Sequence, residues 1–350
     1  MRFVHDTLPQ RVRFGAGEAA EGLSAEISAA GATRVMVISG RSETEVARRI
    51  AADLPVVAWH DDVARHVPVD VAERARSAAS DARADLLVCV GGGSATGVAK
   101  AVALTSGLPV VAVPTTYAGS EATDVWGLTE NGAKTTGRDA RVLPRAVVYD
   151  ATLTLSLPVD VSVASGLNAL AHCVDSMWAP RRDPVNAALA VEGARALRSG
   201  LPGVVSEPTG LGGREEVLYG AYLAAVAFAS AGSGLHHTAC HVLGGMFDLP
   251  HAQTHAVVLP HVLALNVPRA PEAERRIAAA LGAPDAVSGL RALREECAAP
   301  RSLRSLGMPA AGIEPAVQAI VAAAPPDNPA PVTPETIGDV VHRAWEGTEP

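Results

Sequence analysis

The chain has 350 residues, of which 48% are apolar, 19% are charged and 3% are aromatic. This balance excludes intrinsic disorder, and at about 150 residues per domain the length predicts two domains. The formal net charge of −8, with no run of lysines, argues against an extended surface for nucleic acid or an anionic membrane.

The sequence shows none of the usual signals for export or membrane insertion. Its first ten residues include Arg2, His5 and Asp6 and have no long apolar run, unlike a signal peptide. No stretch of about 18 uninterrupted apolar residues is present to form a spanning helix. The cysteines form no CxxC pair, so a disulfide framework or thiolate zinc site is not expected. We expect a protein of the reducing cytoplasm.

Short β-branched runs alternate with amphipathic helical stretches over roughly the first 150 residues. Strands are predicted at 34–38, 55–59, 86–90, 110–113 and 146–149, and helices at 18–30, 43–52, 69–82 and 96–105. Continuous apolar strands separated by helices indicate a parallel sheet covered on both faces. Residues 126–136 predict a β-hairpin before the last strand, with its turn at 130–132.

After Asp150 the strand-like runs disappear and alanine-rich segments dominate. Helices are predicted at 164–177, 185–198, 215–231, 235–246 and 255–265. A Pro-rich loop at 324–334 precedes a short C-terminal helix that runs through Trp345. The second half is therefore predicted to be helical, and a ligand would be expected in a cleft between the halves.

A glycine-rich turn follows the predicted strand at 86–90. It consists of Gly91, Gly92, Gly93 and Ser94. Glycines let the backbone approach a diphosphate closely, and the following helix offers free N–H groups and the positive end of its dipole. An ordinary tight turn between a strand and a helix also favours glycine. The position at the carboxyl end of a strand favours phosphate binding.

Hydroxyl groups follow the predicted strand at 110–113. They belong to Thr115, Thr116, Tyr117 and Ser120. At the same edge of the sheet they could bind the ribose or the nicotinamide of a dinucleotide. The alternative is a polar loop that caps the next segment.

The residues after the predicted strand at 34–38 bear on the choice of dinucleotide. They are Ser39, Gly40, Arg41 and Ser42, where an acidic residue that binds the ribose would often lie. Without that carboxylate a 2′-phosphate is not repelled, and Arg41 or Ser42 could contact it. We therefore expect both NADH and NADPH to be used. The alternative is that Arg41 is an ordinary surface residue.

Five histidines occur within twenty residues of the otherwise aliphatic second half. They are His236, His237, His241, His251 and His255. His237 and His241 share a helical face, and Asn168 and His172 repeat that spacing on an earlier helix. His251 is predicted to lie in a short loop. Imidazoles suit either a divalent metal or a general acid that neutralises a developing oxyanion, so the cluster indicates a functional site.

Four runs of the sequence resemble the iron-containing alcohol dehydrogenase superfamily. They are GGGSATGVAKA, PTTYAGSEAT, SGLNALAH and GLHHTACHVLGGMFDLPHAQTHAVVLPH. Within it the chain is most similar to the maleylacetate reductases, a branch that works without a metal, from residue 8 to about residue 335. The resemblance implies a Rossmann-like dinucleotide-binding domain at 1–155, an all-α catalytic domain at 156–350, as in dehydroquinate synthase, and a homodimer.

The resemblance also identifies a potential metal site. Metal-dependent members bind the ion with one Asp and three His, and the matching positions are Asn168, His172, His237 and His251. Asn168 is a neutral amide that cannot supply negative charge to a hard divalent cation, so we expect no catalytic metal. A three-histidine zinc site is the competing possibility.

The reaction that the resemblance implies is reduction of the carbon–carbon double bond of 2-maleylacetate, or a related enone acid, to 3-oxoadipate by NADH or NADPH. It belongs to the breakdown of aromatic compounds. Charge develops on the ketone oxygen, and preorganised donors stabilise it. His172, His237 and His251 are predicted to polarise the substrate beside Asn168. His241 is predicted to position it or to transfer a proton.

Lys134 and Arg138 are candidates to pair with the carboxylates of the substrate, although each could be a solvated loop charge. Thr238 replaces a lysine that close maleylacetate reductases usually have. Pro326 and Ala330 lie in a loop that lacks their usual Tyr and Arg. A less charged enone or ketone is therefore a further possibility for the substrate.

Two other classes of function remain open. A metal-dependent alcohol or aldehyde oxidoreductase is supported by the three histidines and opposed by Asn168. A lyase of the dehydroquinate synthase type shares the architecture, since fold alone does not fix chemistry. A non-redox relative would be expected to lose the histidine cluster, which this chain keeps.

Overall fold

The computed structural model describes residues 2–130 and 133–350, and only the backbone of Ala133 and Lys134. The predicted turn residues 131 and 132 lie outside this part. The chain forms two compact units, one of residues Leu8–Leu157 and one of Pro158–Pro350 together with residues 2–7. The boundary thus differs from the predicted 155/156. Residues 2–7 join the second unit because His5 binds Asp183 there, at 2.9 Å.

The first unit is a parallel α/β sheet. Its strands are β1 Arg11–Phe14, β2 Val35–Ser39, β3 Val56–His60, β4 Leu86–Gly91, β5 Val110–Pro114 and β8 Ala146–Tyr149, in the order β1-β8-β5-β4-β2-β3. Its helices are α1 Ala19–Ala30, α2 Thr44–Ile50, α3 Val69–Asp81 and α4 Gly93–Ser106. The central strands β4 and β5 are buried along their whole length, as expected for apolar strands covered on both faces. The predicted α/β class is confirmed.

The predicted hairpin is also present. Strands β6 Val125–Glu130 and β7 Ala133–Arg138 pair antiparallel, as a separate two-stranded sheet. Helix α2 is shorter than the predicted 43–52: it starts one residue later, after a 3₁₀ turn at 41–43, and ends two residues earlier. Helix α4 begins three residues earlier than predicted, at the third glycine of the glycine-rich turn.

The second unit is helical, as predicted. Its helices are α5 Val159–Ser176, α6 Pro184–Ser206, α7 Leu211–Ala231, α8 Leu235–Phe247, α9 His251–Asn266, α10 Pro271–Leu281, α11 Ala286–Glu296, α12 Ile313–Ala323 and α13 Pro334–Glu346. Helices α10, α11 and α12 were not predicted. Helix α9 begins at His251, directly after Pro250, so the prediction of a loop at His251 was wrong. The extended backbone of Pro250 lets it precede a helix start.

Helices α5, α8 and α9 contact one another and position the candidate site. Apolar residues of α8 and α9, such as Leu243 and Val258, pack against Ile320 of α12 and Val341 of α13. This core fixes the helices whose polar residues form the site. No single helix in the described ranges is long and apolar enough to cross a membrane. Helices α7 and α8 taken together have the length and composition of a membrane span, but they are bent by 98° relative to each other.

Candidate functional site

The carboxyl edge of the sheet brings together the residues predicted to bind a dinucleotide. Strands β2, β4 and β5 are neighbours, so Ser39, Gly91 and Pro114 end adjacent strands. The backbone of Gly91 has a φ of 146°, a conformation that favours glycine. Within the described ranges, no side chain caps the N-terminus of α4, which starts at Gly93. Its first N–H groups therefore remain available for a phosphate.

The two loops that follow β4 and β5 contact each other. The backbone N–H of Thr115 donates to the carbonyl of Gly91 at 3.1 Å. A methyl group on Gly92 would lie 2.9 Å from the Cγ2 atom of Thr116, so a side chain there would displace the neighbouring loop. Ser94 lies in the first turn of α4 and is partly exposed. The structure thus brings these predicted cofactor residues to one edge.

Lys100 and Tyr117 lie in the interior of this unit. The Nζ atom of Lys100 donates to the carbonyl oxygens of Ser120, Thr123 and Val125 at 2.7–2.8 Å and to the hydroxyl of Thr123 at 3.0 Å. Burial lowers the pKa of Lys100 to about 7, while nearby carboxylates oppose this change. Lys100 therefore holds the segment that contains Ser120. Tyr117 is fully buried and its hydroxyl donates to Thr154, so its predicted contact with a cofactor stays a prediction.

Glu43 was missed by the sequence analysis. A methyl group on Gly40 would lie 2.5 Å from its Oε2 atom, and one on Gly91 would lie 4.0 Å from its Cγ atom. A carboxylate therefore lies between the ends of β2 and β4, where acidic residues commonly bind a ribose. Residues 39–42 themselves lack a carboxylate, but the 3₁₀ turn at 41–43 brings Glu43 next to Gly40. The expected use of both NADH and NADPH stays a prediction.

Helices α5, α8 and α9 bring together six imidazole rings, called here the histidine cluster: His172, His236, His237, His241, His251 and His255. The rings of His172 and His237 stack with centroids 4.8 Å apart, and those of His237 and His255 are 4.7 Å apart. The ring centroid of His251 lies 4.3 Å from that of His255 and 6.2 Å from that of His241. The four histidines predicted from the sequence therefore do lie together. His241 and His251 are exposed, whereas the other four rings are buried.

Several buried polar atoms of this region have no hydrogen-bond partner among the described residues. They are Oδ1 of Asn168, Nδ1 of His172, Nε2 of His237 and both ring nitrogens of His255. Asn168 lies one helical turn before His172, so the two share a face of α5. Buried polar atoms without partners are costly, and their concentration here indicates the place of a polar ligand.

Burial keeps most of the inner rings neutral. It lowers the pKa of His172 and His255 well below the ordinary value, and neighbouring imidazoles lower it further. Burial and the neighbouring His237 lower the pKa of His236 to about 4. The Nε2 atom of His236 lies 3.1 Å from the carbonyl oxygen of His255, to which it can donate.

Asp175 on α5 is the carboxylate that contacts this cluster, and the sequence analysis did not identify it. It is fully buried, and its Oδ2 atom lies 2.8 Å from Nδ1 of His237. Burial alone would raise the pKa of Asp175, but the hydrogen bond from His237 brings it below the ordinary value. The sequence did contain a signal, because 168, 172 and 175 share one helical face.

The residues predicted to bind the substrate lie on different elements of the fold. Arg138, in the α/β unit, forms an ion pair with Asp124 at 2.8 Å. Thr238 lies next to His237 on α8, and its hydroxyl donates to the carbonyl of Gly234 at 3.0 Å. The side chain of Lys134 lies outside the described part. Their roles in binding a substrate stay predictions.

A parallel α/β unit with glycine-rich loops at its carboxyl edge, followed by a helical unit with a buried histidine cluster, is the arrangement of a two-domain oxidoreductase. The iron-containing alcohol dehydrogenase family matches residues 9–151, and its C-terminal part matches residues 162–345. The chain belongs to the iron-containing alcohol dehydrogenase family.

Similar proteins cover the full chain. A maleylacetate reductase from Burkholderia cepacia is 46% identical over 350 residues, which is 99% of each chain. The crystal structure of an iron-containing alcohol dehydrogenase from Corynebacterium glutamicum is 57% identical, covers 100% of this chain and 98% of its own, and has a TM-score of 0.98. That of maleylacetate reductase from Agrobacterium tumefaciens is 41% identical, with 100% of both chains covered and a TM-score of 0.95. These likenesses confirm the resemblance stated from the sequence motifs.

The family name implies iron, and the residues present offer imidazole nitrogens for an ion but a neutral amide at Asn168. The described group with nitrogen atoms close enough to share an ion, within 4.8 Å, is His236, His237 and His255. The Nε2 atom of His236 faces a carbonyl oxygen and Nδ1 of His237 faces Asp175, as is common for histidines that bind a metal through their other ring nitrogen. The resemblance to metal-dependent members of the family places Asn168 at the position of their carboxylate ligand. A neutral amide there lacks the negative charge by which a carboxylate holds a hard divalent cation.

Proposed function

We propose that this enzyme reduces the carbon–carbon double bond of 2-maleylacetate, or of a related enone acid, to 3-oxoadipate in the breakdown of aromatic compounds. Relatives named maleylacetate reductase, 41–46% identical over the full length, support this reaction. The structural observation that carries the proposal is the set of buried, unpartnered donors and acceptors between Asn168 and His255. Such a set suits the oxygen of an enone, whose charge grows during the reaction.

The protein's own contribution is to bind the enone and stabilise charge on its ketone oxygen. A bound NADH or NADPH supplies the hydride, which adds to the alkene carbon remote from the ketone. His172, His237 and His251 surround the place proposed for the ketone and donate hydrogen bonds to its oxygen. A proton then reaches the carbon next to the ketone, for which His241, exposed at the rim of the cluster, is the proposed donor.

The dinucleotide is proposed to bind at the carboxyl edge of the sheet. Glycines at 91–93 admit its phosphates to the open N-terminus of α4, with Ser94 beside them. Ser39 and Gly40 would contact the adenosine ribose. Thr115, Thr116 and Ser120, with Tyr117 behind them, would contact the nicotinamide half.

Replacing Glu43 by Gln should shift the choice of dinucleotide towards NADPH. The carboxylate beside Gly40 repels a 2′-phosphate, and its removal should lower the ratio of the NADPH and NADH dissociation constants about tenfold. Fluorescence titration of the free enzyme with each dinucleotide measures this ratio. Glu45→Gln, on the exposed face of α2, is the matched control and should leave it unchanged. An unchanged ratio in Glu43→Gln would place the ribose elsewhere.

The reaction is proposed to need no metal, because Asn168 replaces the anionic ligand. Chelator-treated enzyme given NADH and freshly made maleylacetate should oxidise NADH at the untreated rate. Activity that is lost on chelation and restored by zinc or iron would contradict this and support a metal-dependent alcohol or aldehyde oxidoreductase. The three-imidazole group His236, His237 and His255 is the observation that favours this second candidate.

If NADH is oxidised neither by the chelator-treated enzyme nor after addition of zinc or iron, maleylacetate is not the substrate. The differences at Thr238, Pro326 and Ala330, where this chain lacks the Lys, Tyr and Arg of close maleylacetate reductases, would then be the explanation. An enone or ketone with fewer carboxylates would then be tested in the same assay.

A homodimer is also part of the proposal. Strand β1 lies at one edge of the sheet and pairs on one side with β8. Its Phe14 is 43% exposed, although it is a large apolar residue. An exposed edge strand of this kind is suited to pairing with a second copy of the chain.

A further inference from the structure

Asp175 makes an unusual set of contacts for one buried carboxylate. Its Oδ2 atom accepts from the backbone N–H groups of Gly234 and His237, both at 3.1 Å, and lies 2.8 Å from Nδ1 of His237. Its Oδ1 atom accepts from the indole N–H of Trp178 at 3.2 Å. One oxygen therefore binds both the backbone and the ring of the same histidine.

The backbone bonds make Asp175 a cap for α8 supplied by another helix. Helix α8 begins after Gly234, which has no side chain with which to accept the first N–H groups. A methyl group on Gly234 would lie 2.5 Å from Oδ1 of Asp175, so the glycine gives the carboxylate its room. His237 is the third residue of α8, the position whose N–H a capping side chain usually accepts. The cap thus fixes the backbone from which His237 projects.

The ring bond determines which nitrogen of His237 remains for a ligand. A carboxylate facing Nδ1 holds a proton on that nitrogen, and its negative charge stabilises the imidazolium form of the ring, in which Nε2 can donate as well. The other nitrogen, Nε2, is buried and has no partner among the described residues. Fixing one nitrogen by a carboxylate is a common means of orienting a reactive imidazole.

We propose that Asp175 is a positioning residue for His237: it holds the ring and its helix so that Nε2 faces the enone oxygen. The inference rests on the proposed function, in which His237 donates to that oxygen. The charge of Asp175 acts on the ring, whereas its hydrogen-bonding capacity alone is enough to cap α8. These two contributions can be separated by substitution.

Asp175→Asn keeps an amide oxygen that can cap α8 but removes the negative charge. We expect the single-turnover rate of enone reduction to fall by about ten- to a hundredfold, while the dissociation constant for NADH stays within twofold. Trp178→Phe removes the other side-chain hydrogen bond to Asp175 and is the matched control. It should lower the rate by less than threefold. An Asp175→Asn enzyme with the rate of the wild type would overturn the proposal.

A double-mutant cycle separates positioning from simple loss of stability. His237→Asn removes Nε2 but keeps a nitrogen that can donate to Asp175. In that background, Asp175→Asn should change the residual rate by less than about threefold, because there is no Nε2 left to position. An equal loss in both backgrounds would overturn the proposal and assign Asp175 to folding alone.

One further variant keeps the test decisive. If Asp175→Asn does not fold, Gly234→Ala keeps the carboxylate but displaces it, and the same selective loss of rate is expected. A folded Gly234→Ala enzyme with the wild-type rate would contradict positioning. The comparison between backgrounds holds for whichever enone or ketone the wild type reduces, so failure of the proposed substrate and failure of this inference are distinguishable.

Discussion

Replacing His237 by Asn should lower turnover by about 10²–10⁴-fold, the usual contribution of a positioned acid–base group. The amide nitrogen of Asn lies near the place of Nδ1 and can still donate to Asp175, so the cap of α8 is kept. The variant loses Nε2, the buried nitrogen without a partner in the described structure. Steady-state oxidation of NADH with maleylacetate measures the loss.

The dissociation constant for NADH is the control measurement for this variant. It should stay within about twofold of the wild type, because the dinucleotide is proposed to bind the α/β unit. His342→Asn makes the same replacement at an exposed position of α13 and should leave turnover unchanged. Turnover of His237→Asn within threefold of the wild type would refute the catalytic assignment of His237.

Replacing Lys100 by Met should lower the free energy of unfolding by about 3 kcal/mol, because each buried oxygen left without a donor costs roughly 1–3 kcal/mol before the surroundings relax. Four oxygen atoms lose their donor, and the buried carboxylate of Glu121 loses a neighbouring positive charge. Since a domain is stable by only about 5–15 kcal/mol, this is a severe loss. Urea denaturation followed by circular dichroism measures it.

Thr105→Met is the matched control for Lys100→Met. It introduces the same side chain on the same helix at an exposed position, and should change the free energy of unfolding by less than about 0.5 kcal/mol. Equal stability of Lys100→Met and the wild type would show that the segment with Ser120 holds its conformation without Lys100.

The fold could be predicted where one physical signal dominates. The buried strands β4 and β5 are short, wholly apolar runs, and their ends fell within one residue of the prediction. Helices α10 and α11 were missed although each has a buried apolar face and a charged outer face, the pattern that indicates an amphipathic helix. The start of α9 at His251 was missed because a preceding proline was interpreted as part of a loop.

The sequence analysis identified the histidines of the candidate site but not its carboxylates. Spacing along a helix shows that His237 and His241 share a face, but not that α5 and α9 deliver His172 and His255 to the same place. Glu43 lies near Gly91, and Asp175 contacts His237, only in the folded chain, because the members of each pair are far apart in the sequence. The helical face that Asp175 shares with 168 and 172 indicates its location near the histidines, but not that it caps another helix.

The cap supplied by Asp175 makes the start of α8 depend on a distant part of the chain. The donors of this cap lie 59 and 62 residues further along the chain. The first turn of α8 is therefore incomplete until α5 has packed against it, and a short helix without its cap frays readily in water. The backbone and the ring of His237 are therefore held in place only while α5 and α8 remain packed against each other.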